Sequence, residues 1–371
     1  MLRNVFRYRA ALCVALALSS CASPKGIPDR VGVYIWGALP NGGDPLHAAI
    51  EDAKSLGAHV VRTAIGPYWD PRPDADPLAT LDCKVRRPDY QEILKSFPVV
   101  ILTAYDLASY DPATKAPRYR NPNTPASPEM LAGVREEYRR FTTELAKNPG
   151  VFVISNWEAE NDATDEQWPD YLRYLQARLD GIVSGRREVR IAGYPGRVMT
   201  AVEFTHVNAG YTYHLDPRPP RKACGLDAAL ALQGVDYLSY SAWESIFHTE
   251  DRSYTVSKLR EAFAVIHEKC RVATNPCRVI VGEVGYLRNH DPDHWNLNMI
   301  LTESLNAGAA YVINWVEYDQ PGQSDPYRFG IDLSQFGDFD IGRRITPQGK
   351  FLQLYLAGRQ NSWPQQVKER R

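Results

Sequence analysis

The chain has 371 residues, 44% hydrophobic and 23% charged, enough apolar side chain for one substantial core and too little charge for a disordered polyelectrolyte. Against 43 Lys and Arg stand 44 Asp and Glu, leaving a formal charge of −1. With no basic cluster on that neutral background, nucleic acid is excluded as the expected partner.

The elements begin with a leader. Arg3, Arg7 and Arg9 precede the apolar run Ala10 to Leu18, which is too short to span a bilayer and has the form of a signal peptide. Residues 1–20 are therefore predicted to be removed. Leu18-Ser19-Ser20-Cys21 resembles a bacterial lipobox, in which the cysteine becomes the lipidated N-terminus. That resemblance implies a membrane anchor at Cys21 and a tether over 21–30. Ala22, where an Asp would retain the chain in the inner membrane, implies the outer membrane, facing the periplasm or the cell surface.

Eight apolar, β-branched runs then alternate with helical patterns. The predicted strands are 31–37, 58–65, 97–105, 151–158, 197–204, 235–241, 278–285 and 310–317. Helices are predicted over 45–56, 128–146, 167–183, 256–269 and 295–307. The last unit closes with Thr346-Pro347, an N-cap followed by proline at the first helical position, leading into 350–357. Alternating β and α units imply a parallel sheet, and eight of them fit an α/β fold of one (β/α)8 TIM barrel over 31–358, with a polar tail over 359–371. An open doubly wound sheet fits less well, because Tyr34-Ile35-Trp36-Gly37 stands where a glycine-rich phosphate loop would follow the first strand. No linker divides the chain, and a monomer is expected.

Four cysteines follow the leader and lipobox. Cys270 and Cys277 bracket a short proline-containing loop and form the preferred disulfide; Cys83 with Cys224 would be the second. No C-x-x-C spacing suggests zinc. His290 and His294 sit in a polar segment that reads as a solvated loop in preference to a metal site.

In a barrel of this kind the site lies at the C-terminal ends of the strands. Those ends carry Trp36, Arg62, Asn156, Glu158, Glu160, Glu203, His206, Asn208, Tyr240, Trp243, Glu283, Asn314, Trp315 and Glu317. Carboxylates, one arginine and several aromatics on one rim suit a sugar, whose ring faces stack on aromatics while its hydroxyls need polar partners. The most telling members are the glutamates that end strands four and seven, in VFVISNWEAEND and RVIVGEVGY. Two facing carboxylates are what cleavage of a glycosidic bond requires.

Arg62 in HVVRTAI, a strand-four glutamate near an asparagine, Glu283 in VGEVGY and Trp315 in VINWVEYD together resemble the clan of retaining glycoside hydrolases with (β/α)8 barrels, which includes cellulase-like and mannanase-like enzymes. The resemblance covers nearly all of the chain after the leader. It implies a carbohydrate substrate, β-linked, and no metal or organic cofactor. It also implies Glu283 as nucleophile, held ionised by Arg62, with Trp315 as the floor of the sugar subsite. Tyr240, in preference to Trp243, would touch the nucleophile.

The clan's asparagine directly before the acid/base is replaced here by Trp157 before Glu158 and by Ala159 before Glu160. With Ile154 placed inside the barrel, strand alternation puts Asn156, Glu158 and Glu160 on one face and favours Glu158 as acid/base, leaving Glu160 as a loop charge. Asn156, Glu160, His206 and Asn208 join the expected substrate contacts, with Asn156 or Asn161 standing in for the missing asparagine. The broken Asn-Glu pair leaves a second expectation open: a non-catalytic polysaccharide-binding lipoprotein acting in glycan export or assembly. A metal-dependent barrel hydrolase would need a His-x-His on strand one, which ends in Tyr34-Ile35-Trp36 instead.

Overall fold

In a computed structural model, the described residues are 26–35, 45–67, 78–118, 126–208, 222–246, 252–273, 277–288, 290–316, 337–340 and 343–359. Eight strands form the barrel: β1 (Val31–Tyr34), β2 (Val60–Ile65), β3 (Val99–Ala104), β4 (Val151–Ser155), β5 (Arg197–Phe204), β6 (Tyr237–Ser241), β7 (Val279–Val284) and β8 (Tyr311–Asn314). Each pairs in parallel with its neighbours in sequence, and β1 pairs with β8 to close the ring. Eight helices follow the strands: α1 (Pro45–Leu56), α2 (Pro88–Ser96), α3 (Pro128–Leu145), α4 (Trp168–Ala192), α5 (Gly225–Ala231), α6 (Arg252–Val272), α7 (Trp295–Asn306) and α8 (Pro347–Leu356). This is the single (β/α)8 barrel expected from the sequence. The α2 and α5 helices were not anticipated, and α4 runs nine residues past its predicted end.

Side-chain alternation on the strands builds two apolar layers. Val60, Val99, Ile101, Val153, Met199, Ala201, Tyr237, Ile280 and Tyr311 fill the barrel interior. Phe152, Ile154, Val202, Leu238 and Val281 face the helices. Ile154 is thus outside the barrel wall and Val153 inside, the reverse of the phase assumed from sequence. Two helix starts are fixed by side-chain caps, with Ser127 accepting from the Met130 N–H and Thr346 from the Gly349 N–H, each followed by proline at the first helical turn.

The chain enters at the N-terminal end of the barrel. A short 3-10 turn, Ile27–Asp29, precedes β1. Asp29 pairs with His59, and Arg30 donates to the carbonyls of Leu305 and Ala309. Residues 26–30, expected as tether, therefore belong to the barrel. The leader, Cys21 and the tail beyond Arg359 lie outside the described residues.

Cys270 at the end of α6 and Cys277 before β7 form the preferred disulfide, with Cα atoms 5.7 Å apart. The second expected bridge is absent. Cys83 is exposed on a short helix after β2, whereas Cys224 is buried ahead of α5, three units around the barrel. His294 also departs from expectation. Its ring is buried and stacks on Phe351 at 5.4 Å, and it leads into α7 from a left-handed conformation with φ 54°.

Burial lowers the pKa of His294 to about 4, so the native state keeps the imidazole neutral while an unfolded chain protonates it near 6.5. The unfolded state then binds the extra proton, and stability falls as pH drops from 6.5 toward 4. Urea unfolding at pH 7 and pH 5 should show His294 contributing a loss on the order of 2 kcal/mol at the lower pH. His294→Asn, which tolerates the left-handed backbone and does not titrate, should show a correspondingly smaller loss.

Candidate active site

The C-terminal half of the barrel interior holds a layer of polar side chains above the apolar ones. Arg62 of β2, Thr103 of β3, Glu203 of β5 and Ser239 of β6 each lie two residues beyond an interior apolar residue, on the same strand face. The Arg62 guanidinium forks onto Glu203, Nη1 to Oε2 at 2.6 Å and Nη2 to Oε1 at 2.8 Å. Nε and Nη2 also donate to Thr103 Oγ1 at 3.0 and 2.8 Å, and Ser239 Oγ donates to Glu203 Oε2 at 2.7 Å. The Tyr34 ring lies under the guanidinium carbon at 4.7 Å.

Both charges of this pair are fully buried. Burial works against the Arg62 cation, but Glu203, Tyr34 and Glu283 facing it raise its pKa on balance. Burial pushes the Glu203 carboxyl up to about 7, opposed by Arg62 and reinforced by Glu283. Sequence reading gave Arg62 to Glu283. In the structure its principal partner is Glu203, and Glu283 Oε1 stands 3.6 Å from Nη1.

Glu283 reaches this layer through an irregularity in β7. Tyr240 registers with Val281 and Ser241 with Glu283, while on the other side Val312 registers with Val281 and Asn314 with Val284. One extra residue, Gly282, is therefore inserted in β7. Such a bulge re-aims the side chain that follows it. With plain alternation Glu283 would continue the outward face of Val279 and Val281; instead its carboxylate meets Arg62 and the Trp243 indole, whose Nε1 donates to Oε2 at 3.1 Å. Gly282 is required here for space. A Cβ would lie 2.0 Å from Glu203 Oε2 and 2.4 Å from Ser239 Oγ.

The end of β4 differs from the expected strand. The strand stops at Ser155, and Glu158 leads into a one-turn helix, Ala159–Asp162. The turn sends the two candidate glutamates in different directions. Glu158 accepts from Ser241 Oγ at 2.5 Å and from the Asn161 amide, so its carboxyl lies against the end of β6. Glu160 accepts from the backbone N–H groups of Thr205 at 3.0 Å, His206 at 3.2 Å and Gly225 at 2.6 Å. It is a buried staple between the end of β5 and the start of α5, and not the loop charge or sugar contact expected.

Asn156 is likewise committed to the backbone. Its Oδ1 accepts from Glu203 N at 2.9 Å, and its Nδ2 donates to Glu203 O at 3.0 Å and Tyr171 Oη at 3.2 Å. Tyr240 does not reach Glu283: its ring packs between Phe204 and Phe263 outside the barrel wall, and its hydroxyl meets Ser245. Trp243, and not Tyr240, is the aromatic residue in contact with Glu283. Trp315 follows β8 directly and is in edge contact with Trp243, ring centres 5.6 Å apart. His206 is buried after β5, and Asn208 is exposed two residues further on. Trp36 and Glu317 lie outside the described residues.

Ser241 is the residue that brings the rim together. It donates to Glu158 and is the register partner of Glu283. One strand position on β6 thus bonds to the Glu158 carboxyl and pairs in register with Glu283, next to a tryptophan pair. Solved structures of glycoside hydrolases share this fold. An exo-β-1,4-mannosidase from Opitutaceae bacterium strain TAV5 is similar with a TM-score of 0.54 at 19% identity, over 90% of this chain and 60% of that one. A GH5_18 protein from Bifidobacterium longum subsp. longum, solved with Manβ1-4GlcNAc, matches at 0.54 and 17% identity over 89% and 78% of the two chains. Endo-glycoceramidase II from Rhodococcus sp. matches at 0.55 and 15% identity over 87% and 78%. No protein-family model and no curated sequence matches the chain. Among the described residues, no group of three or more His, Cys, Asp or Glu stands together as a metal-ligand set.

The contrast between the two strand-four glutamates is measurable. Glu160→Ala should leave three buried N–H groups unpaired and destabilise the fold by about 3 kcal/mol or more, read as a fall in the urea midpoint. Glutamine at 160 retains one acceptor oxygen and should recover part of that loss.

Proposed function

We propose that the chain is a retaining glycoside hydrolase acting on a β-linked oligo- or polysaccharide. The observation that carries the reading is the placing of Glu158 and Glu283 about Ser241, which donates to the first and pairs in register with the second, beside Trp243 and Trp315. A Glu283 oxygen attacks the anomeric carbon as the glycosidic C–O bond breaks and Glu158 gives its proton to the leaving oxygen. The product of this step is an ester of Glu283. Glu158 then takes a proton from water as that water attacks the anomeric carbon, and Glu283 departs as carboxylate. A pair working this way sits about 5–5.5 Å apart, closer than an inverting pair. Trp315 supplies a ring face for the sugar, and the Trp243 indole steadies Glu283 through the transfer. No step calls for a metal or an organic cofactor.

The lipobox-like Leu18-Ser19-Ser20-Cys21 extends the proposal to location: an outer-membrane lipoprotein whose barrel is tethered at its N-terminal end. Strand polarity then turns the catalytic rim away from the bilayer, toward soluble glycan.

One observation favours a second reading, a non-catalytic glycan-binding lipoprotein. Glu158 is fully buried, and both of its oxygens already accept hydrogen bonds. A glycan-panel hydrolysis assay separates the two. The enzyme reading expects cleavage that Glu283→Ala abolishes and that Glu158→Ala slows by about 10²–10⁴-fold. Added azide should restore turnover of activated substrates to the Glu158 variant alone. Glycan binding without cleavage, unaltered by either substitution, would select the second reading.

A further inference from the structure

Four buried glutamates, Glu158, Glu160, Glu203 and Glu283, stand at this end of the barrel; the mechanism uses Glu158 and Glu283, and Glu160 is taken up by backbone N–H groups. Glu203 is the one left over. It is also the one that takes the arginine: both terminal nitrogens of Arg62 bond to it, while Glu283 is 3.6 Å from Nη1. Gly282, immediately before Glu283, makes room for Glu203 Oε2, so the chain that carries Glu283 is shaped around the Arg62–Glu203 pair. One cation is thus shared by two carboxyls on β5 and β7.

We propose that Glu203 is a positioning residue for Glu283 that acts by sharing Arg62 with it, its own protonation deciding how much of the guanidinium charge Glu283 receives. The inference rests on the reading of Glu283 as the reacting carboxylate. With Glu203 protonated, the Arg62 charge is left to Glu283 alone. With Glu203 ionised, two anions divide one cation, and the hydrogen-bonding surroundings of Glu283 change with the same proton. Among the described residues, the charged or titratable groups that face Glu203 are Arg62 from β2, Tyr34 from β1 and Glu283 from β7. Ser239 of β6 faces it as a neutral donor, and Thr103 of β3 holds the other side of Arg62. Burial sets the Glu203 carboxyl at about 7, against the opposing pull of Arg62, so the switch falls in a range where the protein can be studied folded.

The Trp243 indole reports on this without any substrate, because its N–H donates to Glu283. The experiment follows the ¹H–¹⁵N indole resonance of Trp243, assigned through Trp243→Phe, in the full folded domain from about pH 5.5 to 8.5. The resonance should move with a midpoint near 7 in the native protein. Glu203→Gln, which keeps the shape and removes the proton site, should abolish that transition. Ser239→Ala retains the ion pair but removes a hydrogen bond that favours the charged form, so the midpoint should move to higher pH. It serves as the folded control if the glutamine variant does not fold. A flat Trp243 resonance in the native protein, or a transition that Glu203→Gln or Ser239→Ala leaves in place, would overturn the proposal. Hydrolysis lost with Glu283→Ala together with a flat resonance refutes this inference alone. The predicted titration without any glycan cleavage refutes the enzyme reading and leaves the sharing of Arg62 standing.

Discussion

The buried charge of Arg62 is the constraint around which this barrel end is organised. An isolated guanidinium inside a protein costs several kcal/mol, and removing one partner of a buried pair typically costs about 3–5 kcal/mol. The chain meets that constraint from five strands. Glu203 on β5 accepts the fork, Thr103 on β3 accepts from Nε and Nη2, Ser239 on β6 completes Glu203, Tyr34 on β1 offers its ring, and β7 omits a side chain at Gly282. Satisfied polar clusters of this kind fix geometry as much as they add stability. The bulge that follows places Glu283 at the rim with Trp243 on one side and Arg62 on the other.

Four glutamates therefore hold four different positions within one barrel end. Glu203 accepts the Arg62 fork. Glu160 ties the chain after β5 to α5 through three backbone N–H groups. Those two are structural necessities in any account of the site. Glu158 and Glu283 remain, the one bonded to Ser241 through its side chain and the other paired with it in register, and the proposed chemistry is given to them. The mannosidase and glycoceramidase structures that share the fold are less than 20% identical to the chain, so they show the fold, and the roles of Glu158 and Glu283 are proposals.

The strand-helix alternation was readable because each barrel strand is a short apolar run separated from the next by a helical pattern, and all eight strands lie within their predicted spans. What could not be read was phase. A bulge at Gly282 and a helical turn at Glu158 both break the period-two rule, the second where that rule separates Glu158 from Glu160. The partner of Arg62 was nearer to legible. Met199, Ala201 and Glu203 alternate on one face of β5, so an arginine on the interior face of β2 and a glutamate on that of β5 could have been matched. The roles of Ser241 and Ser239 carried no such signal, since a serine on a strand is unremarkable until its neighbours are known. Pairing Cys83 with Cys224 used only an even count, which says nothing about which sides of a barrel two residues occupy.

The central claim is that Glu283 is the residue that bonds to sugar. Its most direct test is covalent trapping. The protein is incubated with a panel of activated 2-deoxy-2-fluoroglycosides, and the digested peptides are weighed by mass spectrometry. The account predicts one glycosyl increment on the peptide spanning Val279–Val284, located at Glu283 and absent from Glu283→Gln. An increment on Glu158 or Glu160, or hydrolysis that proceeds with inversion and no trapped ester, would contradict it.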